Sequence, residues 1–132
     1  MNIKSSKELV DIALKEIKTL EPKDVKELEN KSQCTLIDIR DIRELWREGT
    51  IKGALHIPRG MLEFWMDPKS QYYNESKFSK DKKLVLFCAA GMRSALATKT
   101  LKDMGYENIA HVQGGFGSLA NQGFEVVHKE KK

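Results

Sequence analysis

Cysteine is scarce in this chain of 132 residues, which has only two, Cys34 and Cys88. Two cysteines exclude a small fold held together by several disulfides, and without a Cys/His cluster we expect neither a metal site nor a cofactor. No apolar run approaches the roughly 20 residues that span a bilayer, and the N-terminus lacks the apolar core of a secretory signal. We therefore expect a cytoplasmic protein with reduced thiols and no membrane partner.

A strong excess of one charge is also absent. Charged residues make up 32% of the chain, the formal net charge is +4, and the basic residues are spread along the sequence. No basic stripe interleaved with aromatic residues is present, so we expect no nucleic-acid partner. Hydrophobic residues make up 40% of the chain, which is ordinary for a soluble globular protein, and the length suits one domain.

Helical and strand patterns alternate along the chain. Ser5 and Glu8 form a capping box ahead of apolar residues at helical spacing, and Pro22 suits the first turn of a second helix. Helices are predicted over residues 5–20, a short stretch from Pro22, 42–47, 59–66, 94–104 and a stretch that ends near residue 121. Strands are predicted over residues 34–39, 54–57, 83–87, 109–112 and 124–127.

Strands separated by helices favour right-handed β-α-β units. We therefore predict an α/β fold with a central, mainly parallel β-sheet, helices on both faces and an extra N-terminal helix. In open α/β sheets, ligands bind beyond the carboxyl ends of the strands. Cys88 directly follows the predicted strand 83–87 and therefore lies at such an end.

The residues after Cys88 form a short loop that leads into a helix. Gly91 suits this loop because glycine adopts backbone angles that other residues avoid. The N–H groups of a tight loop at a helix N-terminus can converge on one point and bind an anion. The helix dipole and an anion contact from Arg93 should favour the thiolate of Cys88. The pattern predicts sulfur chemistry on a small anion, whereas Cys34, at the start of a strand, is expected to be inert.

Several separated segments of the chain occur in the order that is typical of one family. They are Leu36–Arg40, Glu44, Gly49–Pro58, Cys88–Ser94 and Gly114–Gly115. Through these segments the chain resembles a single-domain rhodanese, a sulfurtransferase, over roughly residues 22–127. The resemblance implies a rhodanese-like fold divided into an N-terminal helix extension over 1–21, a rhodanese domain over 22–128 and a charged tail over 129–132.

The resemblance also implies a reaction. In rhodaneses a cysteine thiolate takes the outer sulfur of an anionic donor such as thiosulfate, keeps it as a persulfide and passes it to an acceptor. Cys88 would be this nucleophile, and the implied acceptors are cyanide, a thiol, thioredoxin or a sulfur-acceptor protein. The backbone N–H groups expected to cradle the persulfide are those of Ala89, Ala90, Gly91, Met92, Arg93 and Ser94.

Other polar residues are expected to support the site. Asp38 and Arg40 match the family pattern in a mainly structural role, with Asp38 binding Arg40 or the backbone and holding the loops. Arg59 follows the predicted strand 54–57 and either attracts the anionic donor or lies solvated at the surface. His56 and His111 lie inside predicted strands and are expected to be structural residues rather than bases.

Three points leave the function open. Thiosulfate-type loops often have an arginine directly after the cysteine, whereas this chain has Ala89, so the donor preference is open. Cell-division-cycle phosphatases and arsenate reductases of similar fold use Cys-x5-Arg, but four residues separate Cys88 from Arg93, one too few for a phosphate loop. A non-catalytic rhodanese-like module that carries sulfur or binds a protein is the third possibility, although such modules commonly lose the cysteine.

Overall fold

A five-stranded parallel β-sheet forms the centre of the structure, a computed structural model that describes residues 2–78 and 81–131. The strands are β1 (Thr19–Leu20), β2 (Cys34–Asp38), β3 (Thr50–Ile51), β4 (Leu55–His56), β5 (Lys83–Phe87), β6 (Ile109–Val112) and β7 (Val126–Val127). The central sheet has the order β1-β6-β5-β2-β4, while β3 and β7 form a separate antiparallel pair. The predicted parallel sheet is therefore confirmed.

One helix precedes the first strand, and the others lie between strands along the chain. The helices are α1 (Ser6–Glu16), α2 (Pro22–Asn30), α3 (Ile42–Glu48), α4 (Leu62–Trp65), α5 (Met92–Met104) and α6 (Gly115–Asn121). The predicted capping box is present at α1, where the hydroxyl of Ser5 accepts a hydrogen bond from the backbone N–H of Glu8. Asp41 and Glu44 form a second capping box at the start of α3, which fixes where this helix begins.

Apolar residues on the two faces of the sheet belong to separate clusters. Because side chains alternate along a strand, Leu84 and Leu86 lie on one face and Val85 and Phe87 on the other. The first face packs against α4 and α5, and the second packs against α2 and α6. Each fully buried side chain of this kind contributes about 2 kcal/mol. Helices on both faces of the sheet are therefore confirmed.

The helix predicted over residues 5–20 is wrong beyond Glu16, where α1 ends. The segment that follows pairs with β6 as strand β1, and this pairing places Thr19 directly opposite His111. Pro22 contributes to the change because the residue before a proline disfavours helical backbone angles. Strand pairing therefore overrides the helical pattern at this point.

Other predicted elements also differ in extent, three of them for identifiable reasons or by two residues or more. The helix predicted over residues 59–66 is a 3-10 turn over Arg59–Met61 followed by one helical turn, α4, and the glycine at position 60 accounts for the weak start. The strand predicted over residues 124–127 is shorter in the structure, where β7 comprises two residues. Its partner β3 also has two residues, which is too few to show a strand pattern in the sequence. Helix α5 begins at Met92, two residues before the prediction.

The N-terminal helix α1 packs against α5 through a small apolar cluster. The predicted terminal units, 1–21 and 129–132, include Met1 and Lys132, which lie outside the described residues, and both unit boundaries stay predictions. Among residues 2–78 and 81–131, no helix is long and apolar enough to cross a membrane.

The order of the central strands positions the site. The chain leaves β2 towards β4 on one side of the sheet and leaves β5 towards β6 on the other. Such a change of direction opens a crevice at the carboxyl ends of the two middle strands. The N–H of Ile39, just after β2, donates to the carbonyl of Phe87 over 3.0 Å. Cys88 comes next in the chain, and the topology therefore places it at this crevice.

Candidate active site

The sulfur of Cys88 accepts hydrogen bonds from the loop that follows it. The backbone N–H groups of Gly91 and Ser94 lie 3.1 Å and 3.4 Å from Sγ, and the hydroxyl of Ser94 lies 3.6 Å away. Cys88 is 1% exposed. Burial acts to raise the pKa of this thiol, but hydrogen bonds from Ser94, Gly91 and Ala90 outweigh it, so the pKa lies below that of an ordinary thiol.

Helix α5 begins at this loop, and the N–H of Ser94 in its first turn lies 3.4 Å from the sulfur. Gly91 caps the helix with a φ of +112°, in the left-handed region that favours glycine. The positive end of the helix dipole therefore stabilises the thiolate. The remaining predicted cradle contacts concern a bound anion and stay predictions; they are the N–H groups of Ala89, Met92 and Arg93.

The start of α6 packs against the backbone of the same loop. The N–H of Phe116 donates to the carbonyl of Cys88 over 2.8 Å. Gly115 has a φ of +65°, and a Cβ at this position would lie 2.5 Å from the carbonyl oxygen of Ala89. Any other residue must displace the loop, so Gly115 permits the close approach that fixes the conformation of the loop.

A buried ion pair supports this region from β2. Asp38 and Arg40 are both fully buried, and Nη2 of Arg40 donates to Asp38 over 2.8 Å. The hydroxyl of Thr50 donates to the same carboxylate over 2.7 Å. The guanidinium carbon of Arg40 lies 4.2 Å from the centre of the Phe116 ring, and Phe116 in turn binds Cys88. The ion pair therefore stabilises a residue that touches the loop.

Arg93 is bound by a carboxylate instead of facing the sulfur freely. Its two terminal nitrogens donate to the two oxygens of Glu44 over 2.7 Å and 3.0 Å. The hydrogen bonds from Arg93 lower the pKa of Glu44, so this pair is fully charged at neutral pH. The Arg93 side chain stays 43% exposed, and its charge still acts on Cys88. Glu44, which matches the family pattern in the sequence, thus controls the position of Arg93.

The structure does not bring Arg59 to the Cys88 loop. Its guanidinium donates to Glu63 over 2.7 Å and to the hydroxyl of Thr100 over 3.4 Å. Thr100 lies about 12 Å along α5 from the start of that helix. A direct contact between Arg59 and a donor bound at Cys88 is therefore not supported by this geometry.

One residue near the sulfur was missed as a site residue. His111 is buried on β6, and its Nδ1 lies 2.9 Å from the hydroxyl of Ser94, which in turn contacts Cys88. The sequence predicts a structural role because the partner of His111 depends on where β6 and α5 meet. By comparison, His56 is bound to backbone, with Nε2 lying 2.7 Å from the carbonyl oxygen of Arg40.

The second cysteine is remote from this site. Cys34 starts β2 opposite Lys83, whereas Cys88 follows the end of β5, so roughly 16 Å of strand separates the two thiols. This distance excludes a disulfide between them. Burial, together with the nearby Glu29 carboxylate, raises the pKa of Cys34 to about 12. In the described part of the chain, no group of three or more His, Cys, Asp or Glu residues is placed to hold a metal ion.

A cleft of about 360 Å³ borders the loop on the side of α1. Its walls include Leu14, Thr19, Met92 and His111, but not Cys88. The Met92 side chain is 64% exposed at its edge. The site thus combines a buried, activated thiol with adjacent space large enough for a small molecule.

A family model of the rhodanese-like domain matches residues 21–122. The chain belongs to the rhodanese-like domain family. The match includes the Cys88 loop, the Asp38–Arg40 pair and Gly115, whereas Leu14 and Thr19 in the wall of the cleft precede it. Helix α1 precedes the matched region.

Similar proteins have more than one described activity. A polysulfide-sulfur transferase homodimer of Wolinella succinogenes has a TM-score of 0.72 and 31% identity, with 94% of this chain and 88% of that chain covered. A Rhodopseudomonas palustris protein described as of unknown function and a possible tyrosine phosphatase has a TM-score of 0.87 and 42% identity, with 96% and 97% covered. A tRNA uridine(34) hydroxylase of Acinetobacter baumannii (strain AYE) is 32% identical over 130 residues. This alignment covers 87% of the chain but only 37% of that relative.

Proposed function

We propose that this protein is a sulfurtransferase that moves sulfane sulfur from a small anionic donor to an acceptor through a persulfide on Cys88. The observation that carries the proposal is the convergence of the Gly91 and Ser94 amides on Sγ. Donors placed around one atom stabilise a negative charge there without reorganising during the reaction. A persulfide anion extends the same charge by one sulfur atom, and the loop is suited to hold it.

The first half-reaction loads the sulfur. The Cys88 thiolate attacks the outer sulfur of thiosulfate, and its electron pair forms the new S–S bond. The S–S bond of the donor breaks, and its electron pair leaves on sulfite. The protein keeps a persulfide with one negative charge, which equals the charge of the starting thiolate. No proton is needed once Cys88 is ionised, which is why its lowered pKa matters.

The second half-reaction returns Cys88 to its starting state. Cyanide or a thiolate acceptor attacks the outer persulfide sulfur, and the enzyme's S–S bond breaks. Its electron pair returns to Cys88 as the thiolate, while the acceptor leaves as thiocyanate or as a persulfide. Thioredoxin or a sulfur-acceptor protein supplies such a thiolate equally well. The cycle requires reduced Cys88, which fits the cytoplasmic setting that the sequence predicts.

The donor is proposed from the charges at the loop. Ala89 places no charge beside the sulfur, and Arg93 shares its charge with Glu44. The loop therefore relies on N–H groups and the helix dipole to bind an anion. We propose thiosulfate as the reference donor and glutathione persulfide, whose persulfide group carries one negative charge rather than two, as a competing donor.

A phosphatase activity is not favoured by this geometry, although a possible tyrosine phosphatase is among the similar structures. Only four residues lie between Cys88 and Arg93, and the guanidinium that would bind phosphate is held by Glu44. The reaction in the name of the tRNA uridine(34) hydroxylase relative is not proposed here, because the chain spans 37% of that relative's length.

The test measures thiocyanate release from thiosulfate and cyanide. We expect turnover by the wild type and by Cys34→Ser, and complete loss in Cys88→Ser. Hydrolysis of an aryl phosphate is measured in parallel as the competing activity. Full activity of Cys88→Ser, or aryl-phosphate hydrolysis in place of thiocyanate release, would overturn the proposal. Absence of a persulfide with every donor, together with tight binding of a protein, would favour the non-catalytic module.

A further inference from the structure

We propose that His111 is a positioning residue that turns the Ser94 hydroxyl towards the sulfur of Cys88 whenever that sulfur is negatively charged. Thr19 completes the arrangement by holding the far side of the imidazole. The inference rests on the proposed role of Cys88 as the reacting thiolate. It goes further because it assigns a function to a histidine outside the loop and to a threonine outside the region matched by the family model.

The three side chains form a continuous row from the buried sulfur to the surface. Sγ of Cys88 lies 3.6 Å from Oγ of Ser94, which lies 2.9 Å from Nδ1 of His111. Nε2 of the same ring lies 2.9 Å from Oγ1 of Thr19. Ser94 and His111 are buried, whereas Thr19 is exposed. Because β1 pairs with β6 in register, Thr19 is fixed directly opposite His111.

Ser94 has one hydroxyl proton and several acceptors within reach. The carbonyl of Gly91 lies 3.3 Å from Oγ, Nδ1 of His111 lies 2.9 Å away, and the sulfur lies 3.6 Å away. If Nδ1 lacks a proton, it is the nearest acceptor and draws the hydroxyl proton away from the sulfur. If Nδ1 carries a proton, it donates to Oγ and leaves the hydroxyl proton free for the thiolate.

The tautomer of His111 therefore matches the charge on Cys88. With a neutral thiol, S–H donates to Ser94, Ser94 donates to Nδ1, and Nε2–H donates to Thr19. With a thiolate, every one of these hydrogen bonds runs in the opposite direction. Conversion between the two states moves one proton along each link. The thiol loses a proton, water at the exposed Thr19 gains one, and the row gives a buried thiol a route for ionisation.

The surroundings keep the imidazole neutral in both states. Burial lowers the pKa of His111 to about 4, so the ring changes tautomer rather than charge near neutral pH. Two charged side chains on the elements that adjoin the Cys88 loop have ion-pair partners. Arg93 on α5 is bound to Glu44 on α3, and Asp38 on β2 is bound to Arg40.

The first test measures the pKa of Cys88 from the pH dependence of its alkylation by iodoacetamide, in a Cys34→Ser background. We expect His111→Phe and Ser94→Ala each to raise this pKa by about one pH unit or more, which slows alkylation roughly tenfold at a pH below the pKa. In the double variant, we expect no rise beyond that of Ser94→Ala, because His111 acts only through Ser94. Thr19→Val should raise the pKa less, and His128→Phe, at an exposed histidine, should leave it unchanged.

An unchanged pKa in a folded His111→Phe variant, or fully additive effects in the double variant, would overturn the proposal. If His111→Phe does not fold, a second test examines the imidazole in protein that retains His111. Nitrogen NMR of the Cys34→Ser protein reports which ring nitrogen carries the proton. We expect Nε2–H below the pKa of Cys88 and Nδ1–H above it, with the change at the same pH as the alkylation midpoint.

A tautomer that does not follow the ionisation of Cys88 would contradict the proposal directly. Neither measurement depends on sulfur transfer, so the role of His111 is tested independently of the sulfurtransferase function. Normal alkylation and tautomer results without thiocyanate release would reject the proposed function alone. Thiocyanate release with a Cys88 pKa that does not respond to His111 would reject the role of His111 alone.

Discussion

Gly115 lies directly against the backbone that carries Cys88. A Cβ at position 115 would overlap the carbonyl groups of Cys88 and Ala89, and the φ of +65° would strain any other residue. The N–H of the next residue, Phe116, donates to the carbonyl of Cys88 over 2.8 Å. Gly115, which contributes no side chain, therefore helps to fix the conformation of the Cys88 loop.

Substitution of Gly115 tests this support. We expect Gly115→Ala to lower the free energy of unfolding by about 2–4 kcal/mol through overlap and backbone strain, and to reduce sulfur loading more than tenfold by displacing the loop. Gly117→Ala is the matched control, because a Cβ at that helical position meets nothing within 4 Å. Denaturant unfolding and a sulfur-loading assay measure both variants. A Gly115→Ala protein with normal loading would show that the close approach does not set the loop.

Removal of their carboxylate partners shows whether Arg93 or Arg59 contributes to donor binding. Glu44→Gln removes the carboxylate that shares the charge of Arg93, so the KM for thiosulfate should fall by roughly two- to fivefold. Glu63→Gln is the control, because Glu63 binds Arg59 over the same distance of 2.7 Å as the shorter Glu44–Arg93 contact. We expect no change in KM for Glu63→Gln. Equal effects of the two substitutions would mean that Arg59 also attracts the donor.

The third prediction concerns the buried ion pair. We expect Asp38→Asn to lower the free energy of unfolding by about 3 kcal/mol, since the carboxylate that then remains beside the buried charge of Arg40 is that of Glu48, which is half-exposed and 3.6 Å away. The exposed pair of Lys7 and Asp11 offers a control, and Asp11→Asn should cause a much smaller loss. Denaturant unfolding at neutral pH measures both changes. A small loss for Asp38→Asn would show that Arg40 is satisfied by other groups.

The fourth prediction concerns acid stability. Burial lowers the pKa of His111 from 6.5 in the unfolded chain to about 4 in the folded protein. As the pH falls below 6.5, the unfolded chain gains a proton that the folded protein does not, so stability decreases until about pH 4.

We expect His111→Phe to remove this contribution. Its free energy of unfolding should fall less between pH 7 and pH 4.5 than that of the wild type, by about 2 kcal/mol. Denaturant unfolding at the two pH values gives the change in stability of each protein. The contributions of carboxylates that titrate in both proteins cancel in the comparison. Equal decreases in the two proteins would show that His111 is not held neutral by burial.

Local patterns were sufficient to predict four of the five strands of the central sheet, most helices and the position of Cys88. The apolar run of β5 and the glycine-containing loop after it carry their signals within a few neighbouring residues. Asp38 and Arg40 are two residues apart, so their pairing also follows from local sequence. Cys88 and the N–H groups that lie around its sulfur are in one such segment, and their arrangement was therefore predictable.

Contacts between distant segments could not be predicted in this way. Thr19 meets His111 only because β1 pairs with β6, and the sequence around Thr19 continues a helical pattern. Arg93 meets Glu44 only because α3 is placed beside the start of α5. Sequence spacing cannot show which helix faces which strand, so the row through Ser94 became visible only in the structure.

Intact-mass measurement of loaded protein tests the central claim most directly. After incubation with thiosulfate and removal of the excess, the Cys34→Ser protein should gain the mass of one sulfur atom and lose it when cyanide is added. The sulfur should map to the peptide that contains Cys88, and Cys88→Ser should gain none. A chain that stays unmodified with both thiosulfate and glutathione persulfide, or that carries the sulfur on a residue other than Cys88, would contradict the account.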